Sequence, residues 1–333
     1  LLFQCFISFV SFAQFSLKDV KSYAFPSELV VSPKGDQIAL AMNEEGVRNI
    51  YVGEAPTYKL RKLTNFQVDN GQEISSISIS SNGKWVVFVL GGEHGGNWDN
   101  SKPVNTNSSQ LPLKVRVCQI SFDGGPIKYI SEGDYPTISS AGEVVAFLKD
   151  DQPWVCHLDS MKEDDFLEIP RQLVQTRGKV TDLQWSPVNN QIAFTVDRGN
   201  YSFIGYTQVG KELESETVKW VSPGFYNDFS PRWSPNGTQI AFVRTPSNGG
   251  ETDSLSIRKP TFWSIQVSDL SGKGSKLVWE SPKNNRGTLP PTDGHANLMF
   301  SSNEIINFTS YQDGWPHLYS VSSKGGKATC LTP

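Results

Sequence analysis

The stretch Arg232-Trp-Ser-Pro-Asn-Gly-Thr-Gln-Ile-Ala-Phe242 sets apolar residues on both sides of a Ser-Pro-Asn-Gly turn. Proline presets φ in the turn and Gly or Asn supplies the positive φ that follows, so the stretch specifies a β-hairpin. The frame recurs in Leu29-Val-Val-Ser-Pro-Lys-Gly-Asp-Gln-Ile-Ala-Leu40, Ile77-Ser-Ile-Ser-Ser-Asn-Gly-Lys-Trp-Val-Val-Phe88, Pro136-Thr-Ile-Ser-Ser-Ala-Gly-Glu-Val-Val-Ala-Phe147 and Leu183-Gln-Trp-Ser-Pro-Val-Asn-Asn-Gln-Ile-Ala-Phe194. A degraded sixth copy runs from Asn297 to Phe308. Aligned on the repeated serine, Ser32, Ser80, Ser139, Ser186 and Ser234 stand 48, 59, 47 and 48 residues apart, the period of a propeller blade.

A second pair of strand-like runs follows the hairpin, as in Asn49-Ile-Tyr-Val-Gly53 with Leu60-Arg-Lys-Leu-Thr64. Glycine-rich turns join the last two strands at Asp123-Gly-Gly125, Ser271-Gly-Lys-Gly274 and Lys324-Gly-Gly326. Helical periodicity is nowhere sustained. A lone four-stranded sheet cannot bury both of its faces, so such sheets must stand side by side around an axis. The expected fold is all-β, a β-propeller of four-stranded antiparallel blades. Six blades are visible, at roughly 28–66, 74–131, 134–174, 180–222, 228–281 and 296–332, and the parent protein is expected to carry seven or eight.

The 333 residues suit one large all-β domain. Thirty basic against 34 acidic residues leave a net charge of −4, which excludes the footprint of a nucleic-acid binder or a polybasic membrane patch and favours peptide-like partners. Leu1 to Ala13 is uncharged and apolar and ends in Ser11-Phe12-Ala13. It reads as the remnant of a secretory signal peptide. Residues 14–333 are then the propeller, incomplete at its C-terminal end, in a secreted or periplasmic protein with no membrane span after signal cleavage. Cys5 leaves with the signal, while Cys118, Cys156 and Cys330 remain. They lack C-x-x-C spacing and read as small buried hydrophobes, with one disulfide left open.

Polar insertions at 91–111 and 245–260 lengthen two blades, and long loops tend to carry function. The first offers His94, Trp98 and Asp99 for a metal or substrate contact, against a solvated loop that packs Trp98 on its own blade. Further substrate-binding candidates are Asp228, Arg232 and Trp233 near an innermost strand, and Asp313, Trp315 and His317 in the last motif. Packing between blades, or a satisfied turn, competes with ligand contact at each. Glu44-Glu45 reads as an exposed turn able to meet a peptide amino terminus, and Asp293 and His295 read as structural. No Gly-x-Ser-x-Gly elbow, H-E-x-x-H, Walker loop or dinucleotide fingerprint occurs. No catalytic residue, metal or cofactor is therefore assigned within this chain.

Blades built on Ser-Pro-x-Gly-x-x-Ile-Ala-Phe resemble those of TolB-type propellers and of the N-terminal propellers of the prolyl oligopeptidase family. Four further segments turn the resemblance toward the peptidases, especially the bacterial dipeptidyl-peptidase and acylaminoacyl-peptidase-like members. They are Glu44-Glu-Gly-Val-Arg-Asn-Ile-Tyr-Val52, Gly91-Gly-Glu-His-Gly-Gly-Asn-Trp-Asp99, Arg198-Gly-Asn-Tyr-Ser-Phe-Ile-Gly205 and Tyr311-Gln-Asp-Gly-Trp-Pro-His-Leu-Tyr319. The last is similar to the Asp-Gly-x-x-His-x-Tyr pattern of dipeptidyl peptidase IV-like propellers. The resemblance covers about Leu17 to Pro333 and implies an α/β-hydrolase domain with a Ser-Asp-His triad beyond Pro333. Over that domain the propeller would form a lid that filters and positions peptides for a secreted serine exopeptidase without doing chemistry. The Asp-Trp-x-Tyr-Glu-Glu segment that grips a substrate amino terminus has no match here, so dipeptidyl specificity does not follow. The alternative is a stand-alone TolB-like propeller acting as an envelope protein-interaction module.

Overall fold

The computed structural model describes residues 16, 18–19, 22–91, 114–158, 169–247, 260–292 and 294–333. These form 24 strands. Blade 1 comprises β1 (Phe25–Val31), β2 (Gln37–Glu44), β3 (Val47–Glu54) and β4 (Arg61–Lys62). Blade 2 comprises β5 (Ile74–Ile79), β6 (Trp85–Leu90), β7 (Arg116–Ser121) and β8 (Lys128–Glu132). Blade 3 comprises β9 (Asp134–Ile138), β10 (Val144–Lys149), β11 (Gln152–His157) and β12 (Arg171–Gln172). Blade 4 comprises β13 (Lys179–Trp185), β14 (Gln191–Asp197), β15 (Ser202–Gln208) and β16 (Lys219–Val221). Blade 5 comprises β17 (Tyr226–Trp233), β18 (Ile240–Pro246), β19 (Ser264–Ser268) and β20 (Lys276–Glu280). Blade 6 comprises β21 (Met299–Phe300), β22 (Ile305–Ser310), β23 (His317–Ser322) and β24 (Thr329–Cys330). Within each blade the strands pair antiparallel in chain order, and one parallel contact, Ser202 with Asn227, joins blades 4 and 5.

The repeated serine closes the first hairpin of a blade. Ser234 N–H donates to Gln239 O at 2.9 Å, and its Oγ accepts from Gln239 N at 2.9 Å. Ser32, Ser80 and Ser139 hold Gln37, Trp85 and Val144 in the same way. Three residues on, Gly35, Gly83, Gly142 and Gly237 take φ of 74°, 76°, 74° and 68°, a region costly for residues with a Cβ. Blade 4 departs from the expectation that Asn supplies this angle, since Asn189 does not adopt a positive φ. Its side chain Oδ1 instead accepts from Gln191 N at 3.0 Å, the bond that the serine makes elsewhere.

Four residues ahead of each of these serines stands a left-handed residue: Glu28, Ser76, Tyr135, Asp182 and Ser230, with φ between 52° and 56°. At these points the pairing of innermost strand with its neighbour slips. Each is a β-bulge, which bends the strand and increases its twist.

Apolar residues on alternate sides of each sheet form five cores, one for each seam between consecutive blades. Val86 and Phe88 face blade 1, while Val87 between them faces blade 3. Phe88, Phe147, Phe194 and Phe242, each eight residues after its serine, are fully buried, and burial stabilises each by about 1.5–3 kcal/mol. Tryptophans tie seams together: Trp185 Nε1 donates to Thr137 O at 3.1 Å, and Trp233 Nε1 to Gln184 O at 3.0 Å. Both acceptors lie two residues before the serine of the preceding blade. Among the described residues no core contains both blade 1 and blade 6. The outer flank of blade 1 accordingly leaves Leu29 67% and Val31 58% exposed, whereas the equivalent Ile77 and Ile79 are buried.

Candidate functional site

Chain direction puts two kinds of segment at the same end of every blade: the turn joining its second and third strands, and the connection entering its first. At that end of blade 5 the cross-strand partners Asp228 and Arg244 meet. Arg244 Nε donates to Asp228 Oδ1 and Nη2 to Oδ2, both at 2.7 Å, and Nη2 also reaches Ser222 O at 2.9 Å. The guanidinium lies over the Tyr226 ring, 4.4 Å from its centroid, with Phe242 at 5.4 Å. Asp228 is fully buried. Its burial pushes the carboxyl above the usual aspartate range, and the bonds and charge of Arg244 only partly oppose that shift.

Beside the pair opens a cavity of about 230 Å³ whose walls include Tyr226, Arg244, Pro246, Phe262 and Leu277, with Glu280 and Lys283 at its side. Next to it an aromatic row runs over the end of blade 4. Tyr201 meets Phe225 edge-on at 5.8 Å and Phe203 at 5.2 Å, and Phe203 meets Trp220 at 6.0 Å. Phe225 is 81% exposed, and Arg198 lies over Phe203 at 5.2 Å.

Of the residues singled out in the sequence, Asp228 belongs to this site, as the buried support of Arg244. Arg232 does not reach it; its Nη1 donates to its neighbour Pro231 O at 2.8 Å. Burial lowers the Arg232 pKa against the opposing charge of Asp182. Trp233 is buried in the seam of blades 4 and 5, edge-on to Tyr206. On blade 6, Asp313 accepts a hydrogen bond from Tyr319 Oη, His317 Nδ1 contacts Thr332 O, and Trp315 is 74% exposed. Burial first, then Asp313, pushes the Tyr319 phenol up to about 12. None of these three lines the cavity. His94, Trp98, Asp99 and Asp293 lie outside the described residues.

Glu44 accepts from Tyr51 Oη and Lys62 Nζ, both at 2.9 Å, while Glu45 sits in the adjoining turn with φ 54°. His295 packs edge-on to Phe229 at 5.6 Å. Cys118, Cys156 and Cys330 are free thiols, and burial pushes Cys118 up to about 12. Among the described residues no three His, Cys, Asp or Glu side chains gather to hold a metal, and no helix is long and apolar enough to cross a membrane.

Arg244, Tyr226, Phe262 and Phe225 escaped the sequence reading, and Tyr201 and Phe203 entered it only within the segment Arg198 to Gly205, not as site residues. A signal existed for the first. Ten residues after the serine the other blades carry Met42, Leu90, Lys149 and Val196, and six before it Pro26, Ile74, Gly133 and Val180. Only in blade 5 do opposite charges occupy both positions.

No protein-family model and no curated protein matches the chain. Solved structures do. A puromycin-hydrolyzing peptidase of Mycobacterium tuberculosis matches with a TM-score of 0.56 at 13% identity, over 92% of this chain and 44% of its own, so this chain spans less than half of that peptidase. The β-propeller domain of the Trilobed protease from Pyrococcus furiosus, described as having an open velcro topology, matches with a TM-score of 0.53 at 11% identity, over 93% of this chain and 86% of its own. An oligogalacturonate lyase from Vibrio parahaemolyticus matches with a TM-score of 0.56 at 14% identity, over 88% of this chain and 76% of its own. At such identities the likeness is one of fold, and that fold is the β-propeller of four-stranded antiparallel blades.

Proposed function

We propose that this propeller gates and positions peptides for a serine hydrolase domain, as the non-catalytic part of a secreted or periplasmic exopeptidase. The observation that carries the reading is the gathering of exposed aromatics, Trp220, Phe225 and Tyr226, with the held guanidinium of Arg244 at one end of the seam between blades 4 and 5. Tyr, Trp and Arg are the side chains that most often anchor binding, because they bury large area at little entropic cost while keeping a polar handle. The end that bears them also bears the Asp313–His317 turn of the peptidase-like motif. The lack of a nucleophile elbow fits a domain that binds while another reacts. The likeness to two peptidase propellers supports the reading at the level of fold.

The test is made on the complete gene product. It should carry a serine labelled by a fluorophosphonate, and Phe225→Ala should raise KM for peptide substrates by about tenfold with kcat little changed, the signature of lost uniform binding. A product without a reactive serine would overturn the reading in favour of the stand-alone TolB-like scaffold.

A further inference from the structure

We infer that the cavity of blade 5 is a binding subsite for an uncharged stretch of peptide, with a ligand carbonyl accepting from Arg244 Nη1 and an aromatic or aliphatic side chain lodged among Tyr226, Pro246, Phe262 and Leu277. This deepens the peptide-positioning role proposed above and rests on it.

The internal repeat sets this pair apart. The position filled by Asp228 and Arg244 is a paired one, and its counterparts are Pro26 with Met42, Ile74 with Leu90 and Val180 with Val196. The blade therefore folds with uncharged partners there. Taking two charges out of water costs more than their attraction returns unless geometry is excellent, so a buried pair is weak evidence for stability. The raised Asp228 pKa agrees, because burial outweighs even a bidentate arginine. Blade 3 carries Lys149 at the arginine position but Gly133 at the aspartate position, so a costly pair of opposite charges in one of these five blades points to a use.

The pair also fixes the guanidinium. Nε and Nη2 are saturated by Asp228 and Ser222, the guanidinium lies against the Tyr226 and Phe242 rings, and Nη1 meets no acceptor among the described residues. Arg244 lines the cavity. A donor fixed in this way loses little entropy on binding, which is the meaning of preorganisation.

Charge selects the ligand. Asp228 already balances Arg244, and Lys283 pairs with Glu280 beside the cavity. A carboxylate ligand would find no uncompensated cation and would face Glu280. A neutral carbonyl takes the Nη1 proton without that repulsion. The walls are mostly apolar, and about 230 Å³ admits one large side chain rather than an oligomer.

Isothermal titration of the 333-residue chain with the blocked peptide acetyl-Ala-Phe-Ala-amide tests this directly. Wild type should bind it at least about tenfold more tightly than acetyl-Ala-Ala-Ala-amide, and Arg244→Gln should lose about tenfold or more, the size of one hydrogen bond from a charged donor. Leu277→Asp, at a half-exposed wall position away from the ion pair, should lose binding without lowering the melting temperature, and so guards against misfolding of the arginine variant. Equal binding by wild type and the Leu277 variant, or tighter binding of the free-acid peptide than of the amide, would overturn the subsite. No binding here, with hydrolysis by the complete gene product still sensitive to Phe225→Ala, overturns the subsite alone. Binding here without a fluorophosphonate-reactive serine overturns the peptidase reading alone.

Discussion

Asp228 and Arg244 face each other across β17 and β18 at the register where Val180 faces Val196 in the blade before. Removing the guanidinium leaves the buried Asp228 carboxyl without its partner, so Arg244→Met should destabilise by about 3–5 kcal/mol, while Asp228→Asn, which removes a charge that burial disfavours, should cost less. The double variant Asp228→Val, Arg244→Val, which copies blade 4, should recover most of that loss. Urea unfolding of the four proteins ranks them; a double variant no more stable than Arg244→Met would show that the ion pair is needed for the fold.

Acid titration gives an independent reading of the same carboxylate. The folded Asp228 holds its proton more tightly than the ordinary aspartate value of 3.8, so the folded chain binds more protons than the unfolded one between those two values. Stability contributed by this group is full below 3.8 and is lost as pH rises through the raised folded value. The stability of wild type relative to Asp228→Asn should therefore fall with rising pH across that window. A relative stability that rises there instead would mean that Arg244 dominates over burial.

Two repeat serines should respond differently to the same change. Ser234→Ala leaves the amide of Gln239 without its acceptor, at a cost of about 1–3 kcal/mol. Ser186→Ala should cost less than about 1 kcal/mol, because Asn189 already holds Gln191 N and, among the described residues, Ser186 Oγ accepts only from Val188 N at 3.5 Å. Thermal melts of the two variants, side by side, decide it.

Val31 and Ile79 occupy the same place in consecutive blades, one residue before the serine. Ile79 lies in the core between blades 1 and 2, whereas Val31 stands on an uncovered flank. Ile79→Ala should cost about 2–5 kcal/mol and Val31→Ala no more than about 0.5 kcal/mol. A comparable loss for both would show that the flank of blade 1 is covered in solution.

The hairpins were legible because their determinants are local. A serine bonds to an amide five residues away, a glycine turns the chain between them, and apolar residues alternate on either side. The six blade ranges read from that pattern match the observed strands closely, although the residue types of the bulge did not announce it: Glu28, Ser76, Tyr135, Asp182 and Ser230 share no chemistry. Their left-handed backbone is imposed by how each innermost strand meets its neighbours. The polar candidates were legible only as types. Arg232 and Trp233 stood beside Asp228 in the chain, yet the partner of Asp228 is Arg244, sixteen residues on.

The repeating pattern of residues alone decided that this chain makes four-stranded blades and that such sheets must stack, since each hairpin closes on its own hydrogen bonds and no single sheet can hide two apolar faces. Folding in three dimensions decided which side chains meet across strands and seams, which flank is exposed among the described residues, and where a guanidinium is held with one nitrogen that meets no acceptor among them. Those outcomes depend on groups brought together from the far side of a turn or from the next blade, and the energy of a buried charge is set by everything packed around it.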